Sequence, residues 1–185
     1  MSETETPGET VTSSEYERQP TTVLFTDLVG STERALALGD AAWATLLERH
    51  DELVRAAVER HRGVEMDTAG DGLFAVFSDP TDAIRSACEI RDELAQLGLE
   101  VREGIHHGHC WTAAGKCAGA DVHVGARLAE HAEPGEVLVS EEAMRIAARR
   151  GITFTYRGAA SLKGLPAERR LFAVSGLPVT ANVVA

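Results

Sequence analysis

Two aspartates stand where a chain could hold a metal ion. Asp27 lies near the end of an apolar run at 21–29 (TTVLFTDLV), and Asp71 lies in the tetrapeptide AGDG between two short β-prone runs, 63–68 and 73–77. The first run reads as a buried strand from its β-branched and aromatic content. The paired runs carry the strongest hairpin signal in the chain, with Asp71 at the tip. Neighbouring strands would bring both carboxylates to one end of a sheet. Between them, Leu28, Val29, Gly30, Ser31 and Thr32 pass from strand end into helix start, where backbone N–H groups lack intrahelical acceptors and can cradle phosphate oxygens. An acidic pair beside such a turn suits a triphosphate carried by Mg²⁺ or Mn²⁺, cations that share oxygen ligands between carboxylate and phosphate. Taken singly, each aspartate is what a turn ordinarily carries; the pairing is what points to chemistry.

These residues need a frame. After the Gly-Ser-Thr turn, Leu36, Trp43, Leu46, Leu47, Leu53, Val54, Ala57 and Val58 recur at helical spacing, with a break at Gly39 and Asp40 and a stop at Gly63. A helix at 82–97 carries Ala83, Ile84, Ala87, Ile90, Leu94 and Leu97 on one face, Gly98 stops it, and a strand follows at 99–105. Beyond it the pattern predicts a helix at 122–132, a strand at 136–140, a helix at 141–150 and strands at 153–156 and 170–174. The order is β-α-α-β-β-α-β-α-β-α-β-β. This predicts an α/β (α+β) fold: a ferredoxin-like βαββαβ core with C-terminal additions, helices on one face of a mostly antiparallel sheet.

Residues 1–20 are rich in Ser, Thr, Glu and Pro with little to bury, and read as a flexible acidic tail. Residues 21–175 form the domain, and 176–185 a loose end. A chain of 185 residues is one domain's worth, and no run approaches the roughly 18 apolar residues of a membrane span. Eighteen Lys and Arg against 29 Asp and Glu give a net charge of −11, a field that repels nucleic-acid backbones and anionic membranes. Cys88, Cys110 and Cys117 offer no disulfide framework or zinc spacing, which fits a reducing cytoplasm.

Five segments in order, FTDLVGST at 25–32, TAGDG at 68–72, REGIHHG at 102–108, VHVGARL at 122–128 and LKG at 162–164, resemble the successive motifs of class III nucleotidyl cyclase catalytic domains. The resemblance covers residues 21–175. It implies a head-to-tail homodimer with composite active sites at the interface, converting a nucleoside triphosphate to a 3′,5′-cyclic monophosphate and pyrophosphate with two divalent cations. On this resemblance Asp27 and Asp71 are the metal aspartates, with Leu28 beside them in the metal site. Arg127 is the transition-state arginine, Arg102 and Lys163 are triphosphate contacts, and Val29, Gly30, Ser31 and Thr32 form the phosphate turn. The implied partition takes Asp27, Asp71 and Arg102 from one protomer and Asp67, Lys116, His123, Arg127 and Lys163 from the other. A downstream cyclic-nucleotide receptor is the implied partner. Without the motifs, Arg127 would read as a helix-surface salt-bridge residue, and Lys163 as a solvated loop lysine.

Three positions depart from the pattern. Asp67 stands where adenylate cyclases carry a base-reading lysine, Lys116 where they carry the base-reading aspartate, and His123 where they carry a ribose-contacting asparagine. An acid and a base exchanged in place suit a base that presents an N–H donor and a keto acceptor, guanine or uracil: Asp67 accepts from the N–H and Lys116 donates to the oxygen. The stand-alone single domain resembles bacterial pyrimidine cyclases that make cUMP as an anti-phage signal, which favours UTP over GTP. The competing expectations are an adenylate cyclase tolerant of the exchange and a non-catalytic nucleotide-sensing dimerisation module.

Other conspicuous residues have simpler readings. Successive strand residues face opposite ways, so His106 and His107 do not share an ion, and with His109 they read as ordinary strand histidines. Trp43 reads as core, Trp111 is undetermined, and Cys117 sits beside Lys116 either lining or filling a pocket.

Overall fold

A computed structural model describes residues 17–113 and 116–178. The chain runs β1 (Glu17–Leu28), α1 (Ser31–Leu38), α2 (Asp40–Arg60), β2 (Val64–Ala69), β3 (Gly72–Phe77), α3 (Pro80–Gln96), β4 (Val101–Ala113), β5 (Lys116–Ala118), α4 (Ala120–His131), β6 (Val137–Ser140), α5 (Glu141–Ala148), β7 (Thr153–Ser161) and β8 (Glu168–Gly176). The break between α1 and α2 falls at Gly39, whose φ of 80° is easy for glycine alone. α3 starts two residues before the periodicity does, because the Asp79 carboxylate accepts the Thr81 N–H at 2.8 Å and Pro80 occupies the first helical position.

Strand order is β2-β3-β1-β4-β6-β8-β7, with β5 pairing β4. The first four are the ferredoxin-like core, and among the described strands only β4 and β6 run parallel, joined through α4. The fold class read from the sequence holds: an α+β domain on a mostly antiparallel sheet.

Several finer expectations do not hold. Helices cover both faces of the sheet. Val137, Val139 and Phe172 pack with the apolar faces of α2, α3 and α5, whereas their strand neighbours Leu138 and Leu171 pack with Val124 and Leu128 of α4. Alternation along a strand lets one β-strand serve two cores. The expected tail overlaps β1: Glu17 to Pro20 pair with Thr112 to His109 of β4. Their side chains are exposed, so backbone hydrogen bonds rather than burial hold them, which composition cannot show. β4 runs on to Ala113 and turns back into β5, a strand too short to have been predicted. Leu36 is 82% exposed, since α1 buries none of its residues. Gly176 closes β8 instead of opening a loose end; residues 1–16 and 179–185 lie outside the described residues.

Candidate active site

β1 and β3 pair antiparallel as far as Thr26 and Leu73. Asp27, near the end of β1, and Asp71, in the turn that leads into β3, therefore sit within two residues of the last paired row, at one end of the sheet. The hairpin forms as expected: Ala69 pairs Gly72, and Gly70 takes φ 65° in the turn. The Leu73 N–H bonds to Thr26 Oγ1 at 3.2 Å, pinning the hairpin root to β1.

The two aspartates open onto neighbouring cavities. Asp27 lines one of about 280 Å³ with Phe25, Asp67 and Phe74. Asp71 lines another of about 290 Å³ with Ser31, Thr32, Trp43 and Leu47. Trp43 is thus half-buried against the main core with one side on a cavity. Oδ2 of Asp71 is buried with no hydrogen-bond partner. A buried carboxylate oxygen without a donor is costly, and a hard divalent cation satisfies it; carboxylate oxygens suit Mg²⁺ or Mn²⁺, while no three His, Cys, Asp or Glu side chains gather for a metal among the described residues. Leu28 contributes no side chain, being 3% exposed and turned into the core, so only its main chain is available.

The turn expected to meet phosphate offers fewer free N–H groups than its sequence suggested. Gly30 caps α1 at φ 66° with no side-chain cap, so the first-turn N–H groups, Ser31 and Thr32 among them, lack intrahelical acceptors. Val29 does not join them: its N–H is spent on Glu100 O at 2.9 Å. Glu33 stands in the first turn, where a carboxylate interacts favourably with the helix dipole and competes with phosphate.

Arg102 lies opposite Asp27 in the β1–β4 register, and its Nη2 is 2.7 Å from Asp27 Oδ2. The side chains are 33% and 48% exposed, and pairs of that exposure contribute at most about 1 kcal/mol. A cation at Asp27 or a phosphate at Arg102 can displace it. This pairing is not legible along the chain, because 75 residues separate the partners.

α4 lies on the Asp27 face. A Cβ on Gly125 would fall 2.5 Å from Val23 Cγ2 and 3.1 Å from Phe25 Cδ2, and Val23, Phe25 and Asp27 share a face by alternation. His123 and Arg127 are one turn apart on α4, the first exposed and the second half-buried and ion-paired with Glu130. That pairing is what a helix-surface arginine would show. Lys163 is exposed in the turn after β7, and buried Leu162 packs with Val124 and Leu128, seating the lysine loop beside α4.

The base-reading candidates come from two hairpins. Asp67 is exposed on β2 opposite Phe74, whose ring stacks on Phe25 with centroids 4.5 Å apart. Lys116 is exposed on β5 opposite Ala113, nine residues along β4 from Gly104, which shares the Asp67–Phe74–Phe25 row. No ion pair within 4.0 Å joins the two among the described residues, so the single chain does not assemble the pair by contact. His106 and His107 do face opposite ways: His107 Nδ1 meets Thr22 Oγ1 at 2.9 Å, while His106 meets Ser140. Trp111 is 46% exposed on β4. Cys117 lies against Cys110, whose thiol burial pushes up to about 12.

The family model for the adenylate and guanylate cyclase catalytic domain matches residues 13–176. An uncharacterized protein of Rhizobium meliloti (strain 1021) is 30% identical over 182 residues, covering 86% of this chain and 18% of its own. The serine/threonine-protein kinase pkn2 of Myxococcus xanthus is 28% identical over 162 residues, covering 83% and 20%. The chain therefore spans about a fifth of the length of these relatives. Among solved structures, the adenylyl cyclase CyaB from P. aeruginosa superposes with a TM-score of 0.83 at 23% identity, over 89% of this chain and 98% of that one. The adenylate/guanylate cyclase/hydrolase from Silicibacter pomeroyi does so at 0.75 and 27% identity, over 87% and 99%. The chain belongs to the adenylate and guanylate cyclase catalytic domain family.

Proposed function

We propose that this chain is an active nucleotidyl cyclase that closes a nucleoside triphosphate to its 3′,5′-cyclic monophosphate with release of pyrophosphate. The observation that carries this is the pair Asp27 and Asp71 at one sheet end, with Asp71 Oδ2 buried and unpartnered beside the open N-terminus of α1. Asp27, Asp71 and the Leu28 main chain would hold two divalent cations, Mg²⁺ or Mn²⁺, which supply acidification of the ribose 3′-OH and charge neutralisation of the leaving pyrophosphate. Ser31 and Thr32 N–H groups with Gly30 bind phosphate oxygens. Arg102 exchanges its Asp27 contact for the triphosphate, and Lys163 adds a second cation. Arg127, released from Glu130, presents its guanidinium fork to the α-phosphoryl oxygens as charge builds there. His123 stands toward the ribose.

A complete site draws on two protomers in head-to-tail arrangement, with Asp27, Asp71 and Arg102 from one and Asp67, Lys116, His123, Arg127 and Lys163 from the other. The reversed charges of Asp67 and Lys116 support a keto base, and UTP is favoured over GTP; a cUMP product places the enzyme in anti-phage signalling with a downstream receptor, in the cytoplasm. No described helix is long and apolar enough to cross a membrane. Offering the purified protein ATP, GTP, CTP and UTP with Mn²⁺ or Mg²⁺ and identifying the product by mass spectrometry tests both levels. Cyclic AMP would overturn the base reading and keep the cyclase; no product with any pair would overturn the cyclase.

A further inference from the structure

A polar chain runs through the interior from α5 to the first turn of α4. His106, on β4, is 2% exposed, and its Nδ1 lies 2.8 Å from Ser140 Oγ. Ser140 caps α5, its Oγ accepting the Ala143 N–H at 3.4 Å. Across the ring, Nε2 lies 3.3 Å from Asp121 Oδ1. Asp121 Oδ2 in turn accepts the His109 backbone N–H at 2.7 Å. Gly108 leaves the room for this: a Cβ there would fall 2.4 Å from Asp121 Oδ2 and 2.8 Å from His106 Nε2. Serine, histidine and aspartate follow in the order of a hydrolytic triad, but Ser140 is 1% exposed and occupied as a helix cap. No substrate reaches it, so the chain has a different task.

The hydrogens have one consistent direction. Burial lowers the affinity of His106 for a second proton against the pull of the Glu142 and Asp121 carboxylates, with Arg169 of β8 acting in the same sense as burial. The ring is neutral near pH 7. Desolvation opposes ionisation of Asp121, yet the His109 N–H and the neighbouring imidazole hold its carboxyl below the usual range. A carboxylate only accepts; a ring proton on Nε2 faces Asp121 Oδ1 at 3.3 Å, a contact longer than a well-formed hydrogen bond, and leaves Nδ1 to accept from the Ser140 hydroxyl.

We propose that His106 and Asp121 are positioning residues that set where α4 sits along β4, and through it where His123 and Arg127 stand. Besides this, α4 packs apolar side chains through Val124 and Leu128 and lays its backbone close against Gly104 of β4. Apolar packing is non-directional, whereas at the helix start Asp121 accepts the His109 N–H of β4 at 2.7 Å, a directional bond made beside the buried His106 ring. Arg127 is six residues further, about 9 Å along the axis. The proposal rests on the reading of Arg127 as the group that meets the α-phosphate.

Asp121→Asn keeps the shape and the acceptor for the His109 N–H but sets an amide donor against the Nε2 proton. In the folded variant kcat should fall about 100-fold, the loss expected for a displacement on the order of 1 Å, with KM changed by only a few fold. Imidazole ¹⁵N–¹H NMR should find His106 protonated on Nε2 in the wild type and on Nδ1 in the variant. Should that variant fail to fold, His106 substitutions decide: His106→Gln, which offers both a donor and an acceptor, should retain kcat within about tenfold, and His106→Leu should lose it as above. Full kcat in Asp121→Asn or His106→Leu, or a wild-type ring protonated on Nδ1, overturns the proposal. A wild type that turns over no triphosphate overturns the reading of the site and the positioning role with it, while the NMR tautomer still reports whether the polar chain exists.

Discussion

Replacing Gly104 by alanine should move α4 and leave the candidate active site out of register. A Cβ at this position would lie 2.1 Å from Ala129 N, 2.4 Å from Gly125 O and 2.8 Å from Leu128 C. All three are backbone atoms, so no rotamer change relieves the overlap. Reaching ordinary contact at 3.4 Å from 2.1 Å needs about 1.3 Å of separation between helix and strand. Overpacking of this kind costs about 1–3 kcal/mol, which for a chain of this size lowers Tm by roughly 2–12 °C. The catalytic loss should be larger than the stability loss: a shift on the order of 1 Å at Arg127 is enough for about a 100-fold fall in kcat. Gly125→Ala provides the contrast, because its Cβ would meet the Val23 side chain at 2.5 Å. Val23→Ala should therefore restore part of the lost Tm and kcat to Gly125→Ala and none to Gly104→Ala. The readouts are thermal denaturation by circular dichroism and steady-state turnover of the four triphosphates. A Gly104→Ala protein with wild-type Tm and kcat would refute the claim that α4 rests on the β4 backbone and that this contact places Arg127.

Asp71→Asn should bind Mn²⁺ measurably more weakly by calorimetry and lose activity by orders of magnitude while its circular dichroism is unchanged, since it exchanges a charged oxygen donor for a neutral amide; normal turnover would contradict the metal assignment. Mixing inactive Asp27→Ala with inactive Arg127→Ala chains should recover activity, because a heterodimer holds one intact composite site; no recovery after verified subunit exchange contradicts the partition. The double exchange Asp67→Lys with Lys116→Asp should raise ATP turnover relative to UTP and GTP, and either single change should be worse than the pair because it sets like charges beside one base edge. Burial pushes the Glu103 carboxyl well above the usual range, with neither oxygen hydrogen-bonded. The folded state therefore keeps a proton the unfolded state has lost, and the stability of the protonated form, full below the ordinary glutamate range, drains away as pH rises toward the folded pKa. Glu103→Gln should gain on the wild type by about 1.4 kcal/mol per pH unit across that interval, seen as a Tm difference that widens as pH rises above the ordinary glutamate range; a constant difference would show that Glu103 does not titrate there.

Much of the frame was written locally. The Asp71 hairpin, the break at Gly39 and the buried strand β1 follow from turn chemistry and residue composition within a dozen residues, and from them the meeting of Asp27 and Asp71 at one sheet end follows in turn. The spacing of the five motifs carried the family. Three features did not follow. Burial of α4 on the second face depends on Gly104 and Gly125 allowing close approach, a condition set by two segments far apart in the chain. Extension of β1 back to Glu17 depends on a partner strand rather than on the composition of residues 17–20. Val29 was expected to offer its N–H to phosphate, yet Glu100 takes it.

The ionic arrangement also belongs to tertiary structure alone. Residue types could nominate Arg102, Arg127, His106 and Asp121, but not that Arg102 holds Asp27, that Glu130 holds Arg127, or that His106 links the starts of two helices. Periodicity and turn propensity are properties of neighbouring residues and can be read along the chain. Which carboxylate faces which cation, and which N–H remains free for a phosphate, depends on distances of a few ångströms between residues up to 75 positions apart, and only the packed sheet and helices decide those.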